Sequence, residues 1–155
     1  RGSILYLAHP VFSQYYAYGA VAYRHYVSGA IDRILGADKR LVTNLPSTAR
    51  VSLMEQESES REILHLLYAN TIKRGSAMEL TVGNNQSGAA RQPKPIEVIE
   101  ELLPLTDIEV TVRTNSVKAV TLEPQGTSVP FETTAEGTKV HIESFTCHQM
   151  VVFSR

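Results

Sequence analysis

The side chains of this 155-residue chain with chemistry to offer are five histidines, one cysteine and a scatter of glutamates. An HxH, HxxxH or HExxH spacing would bring two imidazoles to one metal ion. His9, His25, His65, His141 and His148 match none of these, so each is expected to serve structure. Cys147, the single cysteine, excludes an internal disulfide and a CxxC pair, and reads as a small buried thiol. Acid–base cleavage of a glycosidic bond needs two carboxyl groups facing one another, roughly 5–9.5 Å apart. The candidates are Glu55, Glu57, Glu59, Glu62, Glu100 and Glu101. Adjacent residues on a strand point to opposite faces, so Glu100 and Glu101 cannot form such a pair directly. The run "EQESESRE" reads as a charged, solvated turn joining two strands. Neither a GxSxG elbow nor a GxGxxG or GxxxxGK[ST] phosphate loop occurs. No catalytic residue, cofactor or metal ligand is therefore expected.

Aromatic side chains are the other candidates. Six of the seven tyrosines (Tyr6, Tyr15, Tyr16, Tyr18, Tyr23, Tyr26) lie in the first 26 residues, around the stretch "HPVFSQYYAYG". The elements that must hold them are a short apolar strand over residues 3–8, closed by Pro10, and a helix from Ser13 or Tyr15 to Leu35. Tyr16, Ala20, Tyr23, Val27, Ala30, Ile31 and Ile34 recur at steps of three and four and form one apolar stripe. Ser13 is the expected N-cap and Gly36 the expected C-terminal cap. The stripe takes Tyr16 and Tyr23, the strand takes Tyr6, and Tyr26 borders the stripe. Packing is thus the expected role of the cluster as a whole. His9 and Phe12 in the turn, with Tyr15 and Tyr18, are left as candidates for cleft or interface contacts.

Beyond Gly36 the pattern changes to short β-type runs: 41–45, 51–54, 63–68, 96–99, 108–112, 117–122, 139–142 and 150–153. Turn-forming segments such as "NLPS", "RTNS", "EPQGTS" and "AEGT" separate them. In "IEVTVRT", Ile108, Val110 and Val112 share one face and Glu109, Thr111 and Arg113 the other. Residues 71–95 are rich in Gly, Asn and Pro and read as a long loop, with one small strand at 78–82. The expected fold is mainly β: a C-terminal antiparallel β-sandwich over residues 37–155, preceded by the strand–helix remnant (residues 1–36) of a flavodoxin-like α/β domain. One apolar strand cannot make a sheet, so Ile4, Leu5 and Leu7 are expected to be poorly covered. That deficit and the missing initiator methionine read as a fragment of a larger protein, and its exposed strand edge predicts self-association.

A net charge of −1 without a Lys/Arg block removes the footprint of a nucleic-acid binder or a polybasic membrane patch. No apolar run approaches the roughly 20 residues needed to span a bilayer, and the start is not a secretory signal, which favours a cytoplasmic setting.

Three segments carry a resemblance. "ILYLAHPVFSQYYAYGAVAYRHYVSGAIDRILG" resembles the end of the β-galactosidase-like trimerisation domain of multidomain bacterial glycoside hydrolases. "LPSTARVSLMEQESESREILHLLYANTIKRG" and "VIEELLPLTDIEVTVRTNSVKAVTLEPQGTSVPF…HQMVVF" resemble the β-sandwich that follows it. The resemblance implies an α-L-fucosidase-like or β-galactosidase-like parent whose acid pair sits in an N-terminal barrel, absent here. This chain would then supply a non-catalytic, assembly or accessory region. Its partners would be the rest of the parent chain and further copies of itself, and it would meet carbohydrate through the parent enzyme. The alternative is a carbohydrate-binding β-sandwich module. Flat sugar sites rely on exposed aromatic rings, and from residue 37 onwards only Tyr68, Phe131, Phe145 and Phe153 occur, with no Trp.

Overall fold

The computed structural model describes residues 4–78, 94–114 and 116–155. The chain forms two compact units, Arg1–Val42 and Thr43–Arg155.

In the first unit the expected single helix is two, α1 (Val11–Tyr18) and α2 (Val21–Leu35). Gly19 divides them. Its φ of +63° is left-handed and cannot continue a right-handed helix, and its N–H caps α1 on the Tyr15 carbonyl at 2.8 Å. Ser13 consequently lies inside α1, and Pro10 takes the N-cap position without a side-chain hydrogen bond. Gly36 does cap α2, its N–H donating to the Asp32 carbonyl. The helices pack on each other through part of the expected stripe, with Tyr23, Val27 and Ala30 half-buried. Cover ends there. α2 has no buried residue, α1 buries only Val11, and Tyr16 is 92% exposed. The expected strand at residues 3–8 is not formed over the described residues 4–8. Ile4 and Leu5 are exposed and Leu7 is half-buried.

The second unit is antiparallel β and is organised by one 18-residue strand. In chain order its strands are β1 (Leu41–Thr43, which straddles the unit boundary), β2 (Arg50–Gln56), β3 (Arg61–Tyr68), β4 (Ile72–Met78), β5 (Lys94–Val98) and β6 (Pro104–Val112). β7 (Ala119–Glu123), β8 (Thr127–Ser128), β9 (Phe131–Thr134) and β10 (Gly137–Ser154) follow. β10 serves two sheets. Thr138–Thr146 pair with β6 and Gly137–Val140 with β9, whereas Cys147–Ser154 pair with β3 and Met150–Ser154 with β7. The change of partner falls at Cys147, whose φ is +63°. A left-handed residue inside a strand re-aims the chain, and here it carries β10 from one sheet to the other. Cys147 is accordingly half-buried at a bend, not the core thiol expected.

The inner faces follow the alternation read from sequence. Leu64 and Leu66 of β3, Ile108, Val110 and Val112 of β6, and Val140, Ile142, Val151 and Phe153 of β10 are all buried. Each such side chain contributes roughly 1.5–3 kcal/mol by leaving water. The alternation slips once in each long strand. β6 turns in Leu105 and then Ile108, while β10 turns in Ile142 and then Phe145, leaving Thr106, Asp107, Glu143 and Ser144 exposed. Asp107 lies at the slip with φ +54°. The Asn44 amide braces it, donating to the Asp107 carbonyl at 2.8 Å while its oxygen accepts from the Glu109 N–H at 2.9 Å.

β2 and β3 form the hairpin expected around "EQESESRE", with a 3₁₀ turn over Glu57–Glu59 and left-handed Ser60 closing it. Within the stretch 71–95 expected as a loop, the described residues include two strands. Ile72–Met78 and Lys94–Val98 form a two-stranded β4–β5 hairpin. The small strand expected at 78–82 falls almost wholly outside the described residues. Glu100 and Glu101 are exposed and lie outside any strand.

Candidate functional site

Three surfaces gather polar or aromatic side chains. The first is in the helical unit, where Gly19 folds α1 back on α2. Val11, Phe12 and Tyr15 of α1 face Tyr23, Arg24, Val27, Ser28 and Ile31 of α2 across an apolar groove of about 400 Å³. Of the four expected contact residues, Phe12 and Tyr15 meet here, 68% and 43% exposed. His9 precedes the helix, where its carbonyl accepts the Val11 N–H, and its ring does not line the groove. Tyr18, also exposed, lies outside it as well. The groove therefore offers aromatic and aliphatic wall with a single charged residue, Arg24. It can pack an apolar surface but supplies no acid–base pair.

The second surface is the outer face of the sheet built from β1, β6, β10 and β9. Glu109, Pro130, Phe131, Glu132, Lys139 and His141 line an open groove of about 370 Å³. Cross-strand register sets the neighbours: His141 opposes Glu109, and Lys139 lies between Thr111 and Glu132. Lys139 Nζ pairs with Glu109 at 3.0 Å, and His141 Nε2 lies 3.3 Å from an Asp107 carboxylate oxygen. Sequence spacing could not reveal this group, because β6, β9 and β10 bring it together only after pairing. The outward phase of "IEVTVRT" was the one available signal.

The third surface is the outer face of the other sheet. Register places Leu67 of β3 between Arg50 of β2 and His148 of β10, and His65 of β3 between Ser52 and Met150. His65 and His148, two histidines expected to serve structure, meet diagonally, with Nδ1 of the first 3.1 Å from Nε2 of the second. Their rings are nearly parallel, 16° apart, with centroids separated by 5.3 Å. That separation is close to the hydrogen bond plus two ring radii, so the rings meet edge to edge. Arg50, Val51, Ser52, Met54 and Leu67 surround them in a groove of about 390 Å³.

The glutamate candidates are not gathered over a cleft. Glu55 and Glu62 are directly opposed across the β2–β3 hairpin. Glu62, however, is 2% exposed, which leaves no room for a sugar ring between them. Glu55 is held by Arg155 at 2.7 Å. Glu57 and Glu59 sit in the turn. Among the described residues, no three His, Cys, Asp or Glu side chains converge on a metal-sized position. Nor is any described helix long and apolar enough to cross a membrane.

No family model matches the chain, nor does any curated protein. Among solved structures, alpha-L-fucosidase isoenzyme 2 from Paenibacillus thiaminolyticus matches over 96% of this chain with 32% identity and a TM-score of 0.81. This chain is similar to part of an alpha-L-fucosidase. It spans only 20% of that protein's length. At this identity the likeness extends beyond a shared antiparallel β fold and supports a fucosidase-like glycoside hydrolase region.

Proposed function

We propose that this chain is a non-catalytic accessory region of a fucosidase-like glycoside hydrolase. The observation that carries the proposal is the 32% identity along nearly the whole chain to one fifth of an alpha-L-fucosidase. In this reading the acid pair that cleaves the glycosidic bond belongs to another domain of the parent enzyme. The sandwich is an autonomous module at the C-terminal side of that parent. The helical unit belongs to an α/β assembly domain of trimerisation type, as in β-galactosidase-like enzymes. Its exposed Ile4, Tyr16, Val21 and Ile31 support this, since apolar side chains on that scale normally face another layer. Phe12, Tyr15, Tyr18 and His9 are the residues we assign to contact with the parent's cleft or with a neighbouring copy.

The direct test is an assay of the purified 155-residue chain with an aryl α-L-fucoside and an aryl β-galactoside. The proposal expects no turnover of either above buffer, and turnover abolished by substitution within this chain would overturn it.

One observation favours a second reading, a carbohydrate-binding module. The groove between Phe131 and the Glu109–Lys139 pair combines a half-buried aromatic ring with fixed hydrogen-bonding groups, the chemistry that holds a sugar by stacking and polar contacts. Calorimetric titration with free fucose and methyl galactoside checks it. Saturable heat lost in Phe131→Ala supports this reading, and its absence at millimolar sugar removes it.

A further inference from the structure

We infer that His65 and His148 form a two-histidine binding site for a late first-row divalent metal ion, with zinc as the reference case. The two facing nitrogens are 3.1 Å apart on adjacent strands. At zinc–nitrogen distances of about 2.05 Å, that spacing subtends roughly 100° at the metal, within the range of tetrahedral coordination. Turning each ring by roughly 40°, so that both lone pairs leave the nitrogen–nitrogen axis and point at the metal, converts the hydrogen bond into a chelate. The register fixes the two backbones side by side: His65 lies between Ser52 and Met150, and His148 opposite Leu67. Pre-alignment of this kind raises the second donor's effective concentration over that of a free imidazole.

Proton accounting is simple. In the neutral pair one ring donates its N–H to the other's bare nitrogen. For both to bind metal, the donor ring moves that proton to its other nitrogen, and no net proton leaves. The two metal–nitrogen bonds replace one N–H···N hydrogen bond. Two coordination positions remain open to the groove. Arg50 lines it, and its positive charge suits an anionic co-ligand such as hydroxide or a carboxylate. Imidazole donors select zinc, copper or nickel over magnesium and calcium, which prefer oxygen.

The alternative is a cross-strand hydrogen bond that only supports the sheet. Calorimetric titration of the 155-residue chain with zinc chloride distinguishes the two. The chelate predicts one equivalent bound, and a loss of about tenfold or more in affinity for both His65→Ala and His148→Ala, since each leaves a single donor. His141→Ala, which alters a histidine on the other sheet, leaves binding unchanged. Equal binding by wild type and both variants would overturn the site. A measurement on unsubstituted protein guards against folding defects: in a nitrogen-15 histidine spectrum, substoichiometric zinc shifts His65 and His148 together. Zinc that instead shifts His9, His25 or His141 first, or shifts no ring, contradicts the proposal.

Discussion

Gly137 begins β10 at φ +139°, where its α-carbon passes close to the backbone of β6. A β-carbon there would collide with the Val112 carbonyl oxygen and approach the Val112 carbonyl carbon to 2.8 Å. Because the obstacle is backbone, side-chain rearrangement cannot relieve it. Gly137→Ala is therefore expected to destabilise the sandwich by about 2 kcal/mol or more, read as a lower urea midpoint. Nothing in "AEGT" beyond turn propensity announces such a contact, since β6 is more than twenty residues away in sequence. The same blindness applies to His65 and His148. Their 83-residue separation hides a 3.1 Å contact that only strand register creates. By contrast, Ile108, Val110 and Val112 were legible, because period-two alternation is a property of the strand itself.

Among the elements, packing separates β10 from α2. Phe153 is fully buried between β3 and β7, and Phe153→Ala is expected to cost about 3–5 kcal/mol in denaturant unfolding. Tyr16, 92% exposed on α1, is expected to cost less than about 0.5 kcal/mol when changed to Ala in this chain. If Tyr16→Ala proved as costly as Phe153→Ala, the helical unit would have a core that the exposed stripe does not show. Amide hydrogen exchange gives a second comparison: α1 and α2 should exchange far faster than Leu64–Leu66 and Val151–Phe153. Comparable protection would contradict the incomplete burial of the helices. The apolar stripe of α2 and its Gly36 cap were readable because helical period and cap are local. The break at Gly19 was not, because a glycine in a helical pattern is compatible with both continuation and reversal. Nor was the unbroken run of β10 readable. Its hydrophobic phase slips near Glu143 and its backbone bends at Cys147, so the sequence reads as two short strands.

For the whole molecule, composition and charge narrow the expected partners more readily than they choose a function. The likeness to one fifth of an alpha-L-fucosidase supplies the context that isolated residues lack. The accessory-region proposal assigns Phe12 and Tyr15 to contact with other parts of a larger assembly, whereas Glu55 and Glu62 oppose each other within the β2–β3 hairpin. The most direct measurement compares the protein at its native length with the 155-residue chain, side by side, on an aryl α-L-fucoside. The accessory-region account predicts a longer native protein that carries all the turnover, with none from the 155-residue chain. A native protein of this length with its own turnover would contradict it.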